Sequence, residues 1–457
     1  MLPRSGAPAI LLLLVGASGA FAQVGLVFNR TGSGARAAGM ANAFIAISDD
    51  GSAASWNPAG LAQLRKPELS LVSTTAGHRL RNEGFRAPDD LSTFTPALSS
   101  YRNTYLDFAS LAAPVTLWGK PVTFQAGWRR LYSLDYRETI ATVREPLAPG
   151  APASARIHLD NHGSGGVDLV SITGAVKLTP RLALGGCFNL WRGDWTDNQA
   201  VHVAPLSGPE LPEFRTANQT NRVRGENVSL GLLLTYPRWS VGLLHQSPLV
   251  SDYGNETRVT TSDQPAQPPL ALEGALRFPR SVGIGGAWHP SQPWTVALDL
   301  TWDEWSDTTL DTPSTDPVSL FDGLPLDRTS TRDTISINAG AEHLFLGDGF
   351  VVPLRFGAAW EPQGGRSPYT RDGVDFALLA VGTGYNTNSL KFDAAFQFRW
   401  AHFQDATDFA LTEPADLLPG AIGERGLKEW RLKLSLILRV TDTDKLRRTV
   451  RKVFGGT

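Results

Sequence analysis

Runs of strictly alternating apolar and polar or small residues recur along this chain, and they limit its fold more than any other feature. One run covers 294–302, and others cover 390–400 and 430–440. The even positions of the first run are Trp294, Val296, Leu298, Leu300 and Trp302. Alternation with period two places the two sets of side chains on opposite faces of a β-strand. The chain is therefore predicted to be all-β.

The length and the ends of these runs distinguish membrane-crossing strands from the strands of a soluble sheet. Each run has about ten residues, which a tilted strand needs to cross a bilayer and which exceeds most soluble strands. Aromatic residues stand at the run ends, where interfacial girdles lie: Trp294, Trp302, Trp360, Trp400 and Trp430. Because only helices and closed barrels satisfy their backbone hydrogen bonds in lipid, these runs predict a transmembrane antiparallel β-barrel.

Connections between the runs alternate in length, which predicts the topology. Short links with turn-forming residues lie at 118–120, 179–180, 237–238, 290–292, 347–349 and 386–388. Long polar stretches lie at 79–103, 138–165, 194–222, 249–278, 306–332, 362–372 and 403–426. Six short turns and seven long loops predict about fourteen strands, with both barrel ends on the short-turn side. That side faces the periplasm in bacterial outer-membrane barrels.

The first 22 residues have the pattern of an export signal. Arg4 provides the positive region, a short apolar core follows, and Ala20-Phe21-Ala22 fits the small-x-small cleavage site. The formal net charge of −2 gives no reason to expect nucleic acid as a partner. Cys187 is the only cysteine, so no disulfide can form within the chain.

Motifs that carry enzyme chemistry are absent from the sequence. The histidines form no H-E-x-x-H motif and no Cys/His spacing, so the sequence gives no support for a metal site. No G-x-S-x-G motif is present to place a nucleophilic serine. We therefore expect no enzyme activity, no bound metal and no cofactor.

The stretch from residue 32 to residue 61 follows the export signal and lacks any sustained strand or helix period. It is rich in small residues and contains Asp49-Asp50 and Asn57-Pro58-Ala59. Its glycines permit backbone conformations that other residues resist, and its proline restricts a turn. Such a segment before a long β-barrel is interpreted as a plug.

These residues resemble the long-chain fatty acid and hydrocarbon transporter family of outer-membrane proteins, the FadL/TodX-like proteins. The resemblance begins with Asp49-Asp50 and Asn57-Pro58-Ala59, which match the N-terminal hatch of that family. It continues through 280–288 and 294–299, which resemble a central hairpin, and through 353–357, which resembles a later strand. The last strand departs from the family pattern, since it runs into Arg439-Val440 and a basic tail rather than ending on an aromatic residue.

The resemblance implies a fourteen-stranded barrel plugged by its hatch and the uptake of hydrophobic molecules. It also implies a kink in the third strand that opens the wall sideways. Gly127, Arg129 and Arg130 mark this kink, because the alternation of the third strand changes phase after them, which a bulge would explain. A branch of the family serves protein secretion, so a barrel for secretion or surface anchoring is the alternative.

Candidate ligand-binding residues fall into three groups. The hatch group is Phe44, Asn57, Pro58 and Ala59, and the cations placed in the lumen by parity are Arg355, Lys391, Arg399 and Arg431. The apolar candidates of the outer loops are Trp195, Leu211, Phe214, Leu249 and Val250. Each group has a structural alternative: the lumen cations pair with acidic groups, and the apolar residues pack inside folded loops.

The expected organisation is a signal peptide at 1–22, a hatch at 23–65, a transmembrane barrel at 66–440 and a periplasmic tail at 441–457. We expect a monomer in the bacterial outer membrane that takes up hydrophobic small molecules, most readily long-chain fatty acids, by diffusion. Its expected partners are a fatty acid or hydrocarbon ligand, outer-membrane lipid and lipopolysaccharide, and the barrel-assembly machinery.

Overall fold

The computed structural model describes residues 32–86, 92–147, 154–207, 212–262, 265, 268–313, 315–321, 323–367, 370–407 and 421–440. The expected signal peptide and tail lie outside these ranges. Within them, no helix is long and apolar enough to cross a lipid bilayer. The helical elements are short: α1 (Ala35–Gly39) and 3₁₀ turns at Gly51–Ser55, Pro58–Gln63 and Trp305–Asp307.

Strands make up most of the described chain. They are β1 (Glu68–Arg86), β2 (Ser92–Phe94), β3 (Ala97–Leu117), β4 (Lys120–Ser133), β5 (Tyr136–Pro146), β6 (Ala155–Lys177), β7 (Leu182–Pro205), β8 (Glu213–Thr235), β9 (Trp239–Gln246), β10 (Leu249–Thr261), β11 (Leu270–Phe278), β12 (Ser281–Trp288), β13 (Trp294–Asp303), β14 (Thr309–Thr312), β15 (Thr315–Ser319), β16 (Thr334–Leu346), β17 (Val351–Arg366), β18 (Gly373–Asn386), β19 (Leu390–Thr407) and β20 (Ala421–Arg439).

Fourteen of these strands form one closed antiparallel ring, which confirms the expected fold class. The ring order is β1, β3, β4, β6, β7, β8, β9, β12, β13, β16, β17, β18, β19 and β20. The last strand pairs with the first from Glu68–Arg439 to Arg86–Ile422. Closure pairs the first strand with the last, so neither of these two strands is a free edge.

All six predicted short turns join neighbouring ring strands, and Glu68 and Arg439 lie at the same rim as these turns. At the first turn, Trp118 and Gly119 have φ values of 51° and 74°. Positive φ at both central residues is the geometry of a tight two-residue hairpin turn. The chain therefore enters and leaves the barrel at its short-turn rim.

The prediction of seven long polar loops is wrong in extent. Strands continue through most of these stretches, so that β7 runs to Pro205 and β8 begins at Glu213. Six further strands, β2, β5, β10, β11, β14 and β15, pair beyond the ring strands in the same way. Outward side chains need not be apolar above the membrane, so the sequence becomes polar while the backbone keeps its ladder hydrogen bonds.

The two faces of the ring strands differ as the alternation predicts. On β13 the side chains of Trp294, Val296 and Leu298 are exposed, whereas Asp299 is buried. Exposed apolar side chains continue around the ring, including Phe392, Phe396, Leu432 and Leu434. An outward apolar band with aromatic residues at its borders is the surface of an outer-membrane β-barrel.

Replacing Leu298 by arginine tests the placement of this band. Leu298 is exposed and lies midway between the two tryptophans of β13. Because a charge at the bilayer midplane is costly, Leu298→Arg should lower the free energy of unfolding by about 2–4 kcal/mol. Urea titration of the barrel refolded into lipid vesicles measures the loss. Leu298→Ala is the matched control, and equal stability of the two variants would contradict a lipid-facing position.

Candidate functional site

The N-terminal segment, residues 32–66, lies inside the ring. The Ser435 hydroxyl on β20 accepts a hydrogen bond from the Ala35 amide at 2.6 Å. The Ser240 hydroxyl on β9 donates to the Ala46 carbonyl at 2.8 Å. Since β9 and β20 stand on opposite sides of the closed ring, a segment that contacts both must cross the interior.

Asn57 holds the second half of this segment in place. Its side-chain oxygen accepts from the Ala59 amide at 3.1 Å and caps the 3₁₀ turn that begins at Pro58. Its side-chain nitrogen donates to the carbonyls of Ile45 and Leu232, both at 3.0 Å. Asparagine before proline favours such a capped turn, so the local geometry follows from the sequence. One side chain thereby joins two parts of the segment to the wall.

The wall has glycines, and therefore no side chains, where Asn57, Pro58 and Ala59 approach it. A Cβ atom added at Gly185 would lie 2.3 Å from the Pro58 carbonyl carbon. One added at Gly231 would lie 2.1 Å from the Asn57 side-chain oxygen. These glycines provide the space in which the turn seats, because any side chain there would collide with it.

Phe44 marks the second contact of the segment with the wall. The backbone amides of Phe44 and Ile45 both donate to one carboxylate oxygen of Asp299, at 2.6 and 2.8 Å. The Phe44 ring is fully buried, meets Trp56 edge-on at 6.0 Å, and lies 5.4 Å beneath the Arg36 guanidinium. Phe44 is thus a buried anchor of the segment and does not line an open channel.

Two ionic clusters lie on the inward face of the strands that follow β13. In the first, Arg36 of the segment binds Asp49 at 2.5 Å and Glu342 at 2.9 Å. Arg355 binds the same Glu342 at 2.6 Å and Asp393 at 2.7 Å. Burial raises the pKa of Asp49, but the combined attraction of Arg36, Lys391 and Arg439 holds that pKa below its usual value. The segment is therefore bound to the wall by charge as well as by hydrogen bonds.

The second cluster is centred on Glu429. Arg399 and Arg431 both pair with this carboxylate, and Arg399 also lies 3.8 Å from Glu361. Three of the four predicted lumen cations, Arg355 among them, thus have acidic partners, which favours the structural alternative over a ligand contact. Lys391, the fourth, is half-buried and makes no ion pair within the described part of the chain.

An apolar cluster fills the inward face farther from the short-turn rim, and we call it the upper apolar cluster. Its buried members are Tyr132, Leu134, Val167, Leu169, Trp191, Trp195, Val223, Leu249, Tyr253, Leu272, Leu276, Phe278, Trp305, Leu310, Val318 and Leu320. Barrel interiors are ordinarily polar, so an apolar cluster of this size needs an explanation.

The apolar residues expected in outer loops are divided between the two faces. Trp195 and Leu249 belong to the upper apolar cluster, at 6% and 0% exposure. Phe214 and Val250 lie on β8 and β10 with exposed side chains. Leu211 lies outside the described residues. The four described candidates stand on or beside extended strands, so they do not form a single loop surface.

The wall is interrupted between β3 and its neighbours β4 and β5. Backbone pairing of β3 with β4 ends at Phe108–Arg129, and no described residue of β3 before Phe108 pairs through its backbone with β4 or β5. Side chains span this wall gap instead. Asn103 donates to the Ser133 hydroxyl at 3.2 Å, and Ser99 accepts from the Thr139 amide at 3.0 Å.

Bulges flank the wall gap on both strands. On β4 the register shifts between Arg130 and Tyr132, so Leu131 is the extra residue and accounts for the change of phase in the sequence. Arg129 is buried, and Arg130 binds Asp168 at 2.5 Å. Gly127 lies below the gap, where β3 and β4 are still paired and an added Cβ would make ordinary contacts.

Asp107 forms the bulge on β3 and links the wall gap to the N-terminal segment. It is the extra residue in the pairing with β1, where Val72 faces Phe108 and Ser73 faces Leu106. Its carboxylate accepts from Ser33 at 2.9 Å and from Lys433 at 2.6 Å. Sequence reasoning missed Asp107 and Glu342, although an acidic residue in an alternating apolar run is a signal for an inward position.

Comparison with known proteins shows the fold. No protein-family model and no curated sequence matches the chain. A FadL homologue from Pseudomonas aeruginosa superposes with a TM-score of 0.65 at 14% identity, covering 89% of this chain and 98% of that one. The toluene transporter TodX of Pseudomonas putida gives 0.60 at 13% identity, covering 91% and 100%. The monoaromatic hydrocarbon channel CymD gives 0.56 at 15% identity, covering 91% and 100%. The resemblance noted in the sequence is thereby confirmed at the level of the fold: this chain has the β-barrel fold of the FadL homologue and of TodX.

Proposed function

We propose that the protein is a passive transporter that takes up hydrophobic small molecules through the outer membrane. The observation that carries the proposal is the upper apolar cluster. A water-filled pore has a polar interior, whereas Trp191, Trp195 and Phe278 present aromatic faces to the inside of this barrel. An apolar interior at the outer end of the barrel stabilises an apolar solute relative to water.

The N-terminal segment is proposed to act as a hatch beneath this cluster. It contacts the wall around the ring, through Ser435 on one side and Asp299 and Ser240 on the other. A solute that enters the upper apolar cluster therefore finds the direct way to the periplasm filled by protein. CymD, a monoaromatic hydrocarbon channel, and TodX, a toluene transporter, have this fold, which agrees with an apolar cargo.

The wall gap is the proposed exit. It is bordered by the bulges at Asp107 and Leu131 and is spanned by side chains rather than by backbone ladder bonds. Side-chain hydrogen bonds can break without unfolding a strand, so this is the weakest part of the ring. Leu106, beside the lower end of the gap, is exposed, so a solute leaving there meets the apolar surface of the barrel.

The charges inside the barrel bear on the class of cargo. A carboxylate buried in the lumen needs a cationic partner, and Arg355, Arg399 and Arg431 already have acidic partners. Long-chain fatty acids remain the first cargo to test, although Lys391, the one predicted lumen cation without an ion pair among the described residues, lies at the short-turn rim and off the proposed route. Aromatic hydrocarbons need no such partner and are the second.

Uptake of labelled oleate and labelled toluene by cells producing the full chain tests the function. Cells producing the chain should accumulate at least one of the two faster than cells without it, and only down a concentration gradient. Heat-modifiable electrophoretic migration confirms barrel assembly. An assembled barrel that transports neither, and that copurifies with a secreted protein, would instead support the secretion alternative.

Asn57→Ala tests the seating of the hatch. The variant leaves the carbonyls of Ile45 and Leu232 without their donor and removes the cap at Ala59. The loss of such buried partners costs about 1–3 kcal/mol, so amide hydrogen exchange over residues 43–62 should become roughly 5- to 150-fold faster. Exchange measured by mass spectrometry checks this. Asn388→Ala, in an exposed short turn, is the control, and unchanged exchange in Asn57→Ala would contradict the seating.

A disulfide across the wall gap tests the exit. Asn103→Cys with Ser133→Cys, in a Cys187→Ser background, should cross-link β3 to β4, since the side-chain nitrogen of Asn103 and the Ser133 hydroxyl are 3.2 Å apart. Under oxidising conditions, uptake of the transported probe should fall to the level of cells lacking the chain, and reductant should restore it.

The matched control places a disulfide between the same two regions where the ladder is intact. Val115→Cys with Val122→Cys joins register partners on β3 and β4 below the gap. This cross-link should leave uptake unchanged under both conditions. Full uptake by the oxidised Asn103/Ser133 variant would rule out the wall gap as the exit.

A further inference from the structure

An open cleft of 610 Å³ lies on the outer surface of the barrel, away from the lumen. Exposed side chains of β1, β19 and β20 line it, among them Arg79, Arg81, His402 and Lys428, together with Pro96, Ala97 and Leu98 at the start of β3. None of these residues contributes to the proposed transport route, which uses the inward face and the wall gap.

The position of the cleft along the strands places it at the level of lipid headgroups. On β19 and β20 the last aromatic residues of the apolar band are Trp400 and Trp430. His402 and Lys428 follow them two residues farther from the short-turn rim, on the same outward face, which is about 5–7 Å along a strand. Aromatic girdles mark the interface, so the side chains just beyond them lie among headgroups. Because short turns face the periplasm in such barrels, this is the outer leaflet.

The arrangement of charges in the cleft favours an anion. Arg79 and Lys428 are direct cross-strand partners. Like charges in this relation repel one another and destabilise a sheet. Neither forms an ion pair with any residue that the structure describes, and a bound anion would relieve their repulsion.

The acidic residues of the cleft lie farther from the short-turn rim than Arg79 and Lys428, and each already has a partner. Glu83 and Glu424 are cross-strand partners beyond the cations. Arg81 pairs with Glu83, and the His402 ring lies 3.4 Å from Glu424. Arg79 and Lys428 therefore remain as the cations available to a ligand that approaches from the membrane side.

We propose that this cleft binds the phosphorylated sugar headgroup of lipopolysaccharide in the outer leaflet. Guanidinium and ammonium groups are the usual partners of phosphate in proteins. Exposed apolar side chains below the cleft, such as Phe396 and Leu432, offer a surface for acyl chains of the same molecule. A ligand that carries both a phosphate group and acyl chains matches the cations of the cleft, Arg79 and Lys428, and the apolar outer surface beside Phe396 and Leu432.

The test measures binding of defined lipids to the full chain by native mass spectrometry. Diphosphorylated lipid A should bind the unaltered protein, its dephosphorylated form should bind weakly, and inorganic phosphate alone should not be retained. The double variant Arg79→Ala, Lys428→Ala should bind diphosphorylated lipid A roughly thirtyfold more weakly, the contribution of two cations near an anionic lipid surface.

A matched variant separates this effect from a general loss of charge. Lys120→Ala with Arg238→Ala removes two exposed cations at the short-turn rim and should leave lipid A binding unchanged. Lys428→Gln alone, a milder change, should weaken binding roughly fivefold. Equal binding by all variants, or equal binding of dephosphorylated lipid A, would overturn the proposal. Retention of inorganic phosphate alone would show a simple anion site and would overturn the assignment to lipid. Uptake of oleate or toluene is a separate readout, so failure of this site leaves the transport proposal standing.

Discussion

Closure of the backbone hydrogen-bond ladder is the constraint on which the rest of this structure depends. A strand inside lipid has no water to satisfy its amides and carbonyls, so the fourteen strands must form a ring. Pairing of β20 with β1 completes the ring and brings Glu68 and Arg439, the two ends of the barrel, to the short-turn rim. Where the ladder is interrupted, between β3 and its neighbours β4 and β5, the side chains of Asn103 and Ser99 form the hydrogen bonds across the gap.

Inside the ring, the N-terminal segment and the wall are fitted to one another. Glycines in the wall let the turn at Asn57 come close to the wall backbone. Asp299, an inward acidic residue, accepts hydrogen bonds from two backbone amides of the segment. Asp107 connects the wall gap with the N-terminal segment. It forms the bulge on β3 beside the gap, and its carboxylate accepts a hydrogen bond from Ser33 of the segment. The N-terminal segment and the proposed exit therefore share a carboxylate.

The sequence predicted the elements that depend on local period and turn chemistry. Alternation in 294–302 identified the lipid-facing side of β13, and the six short turns were placed correctly. The prediction from sequence failed where the outer face of the barrel becomes polar above the membrane. There the outward residues are no longer apolar, so the alternation disappears while the strand continues. The polar stretch 194–222, expected as a loop, is largely the hairpin of β7 and β8.

The sequence by itself determined the class of fold, the number of ring strands and the inward or outward side of each alternating residue, since period and turn chemistry are local properties. Only the tertiary structure decided which inward residues meet. Arg355 and Glu342 lie on neighbouring strands, but Arg36 reaches the same carboxylate from more than 300 positions earlier in the chain. Parity cannot specify such pairs, because it states which face a side chain takes and not what stands across the lumen from it.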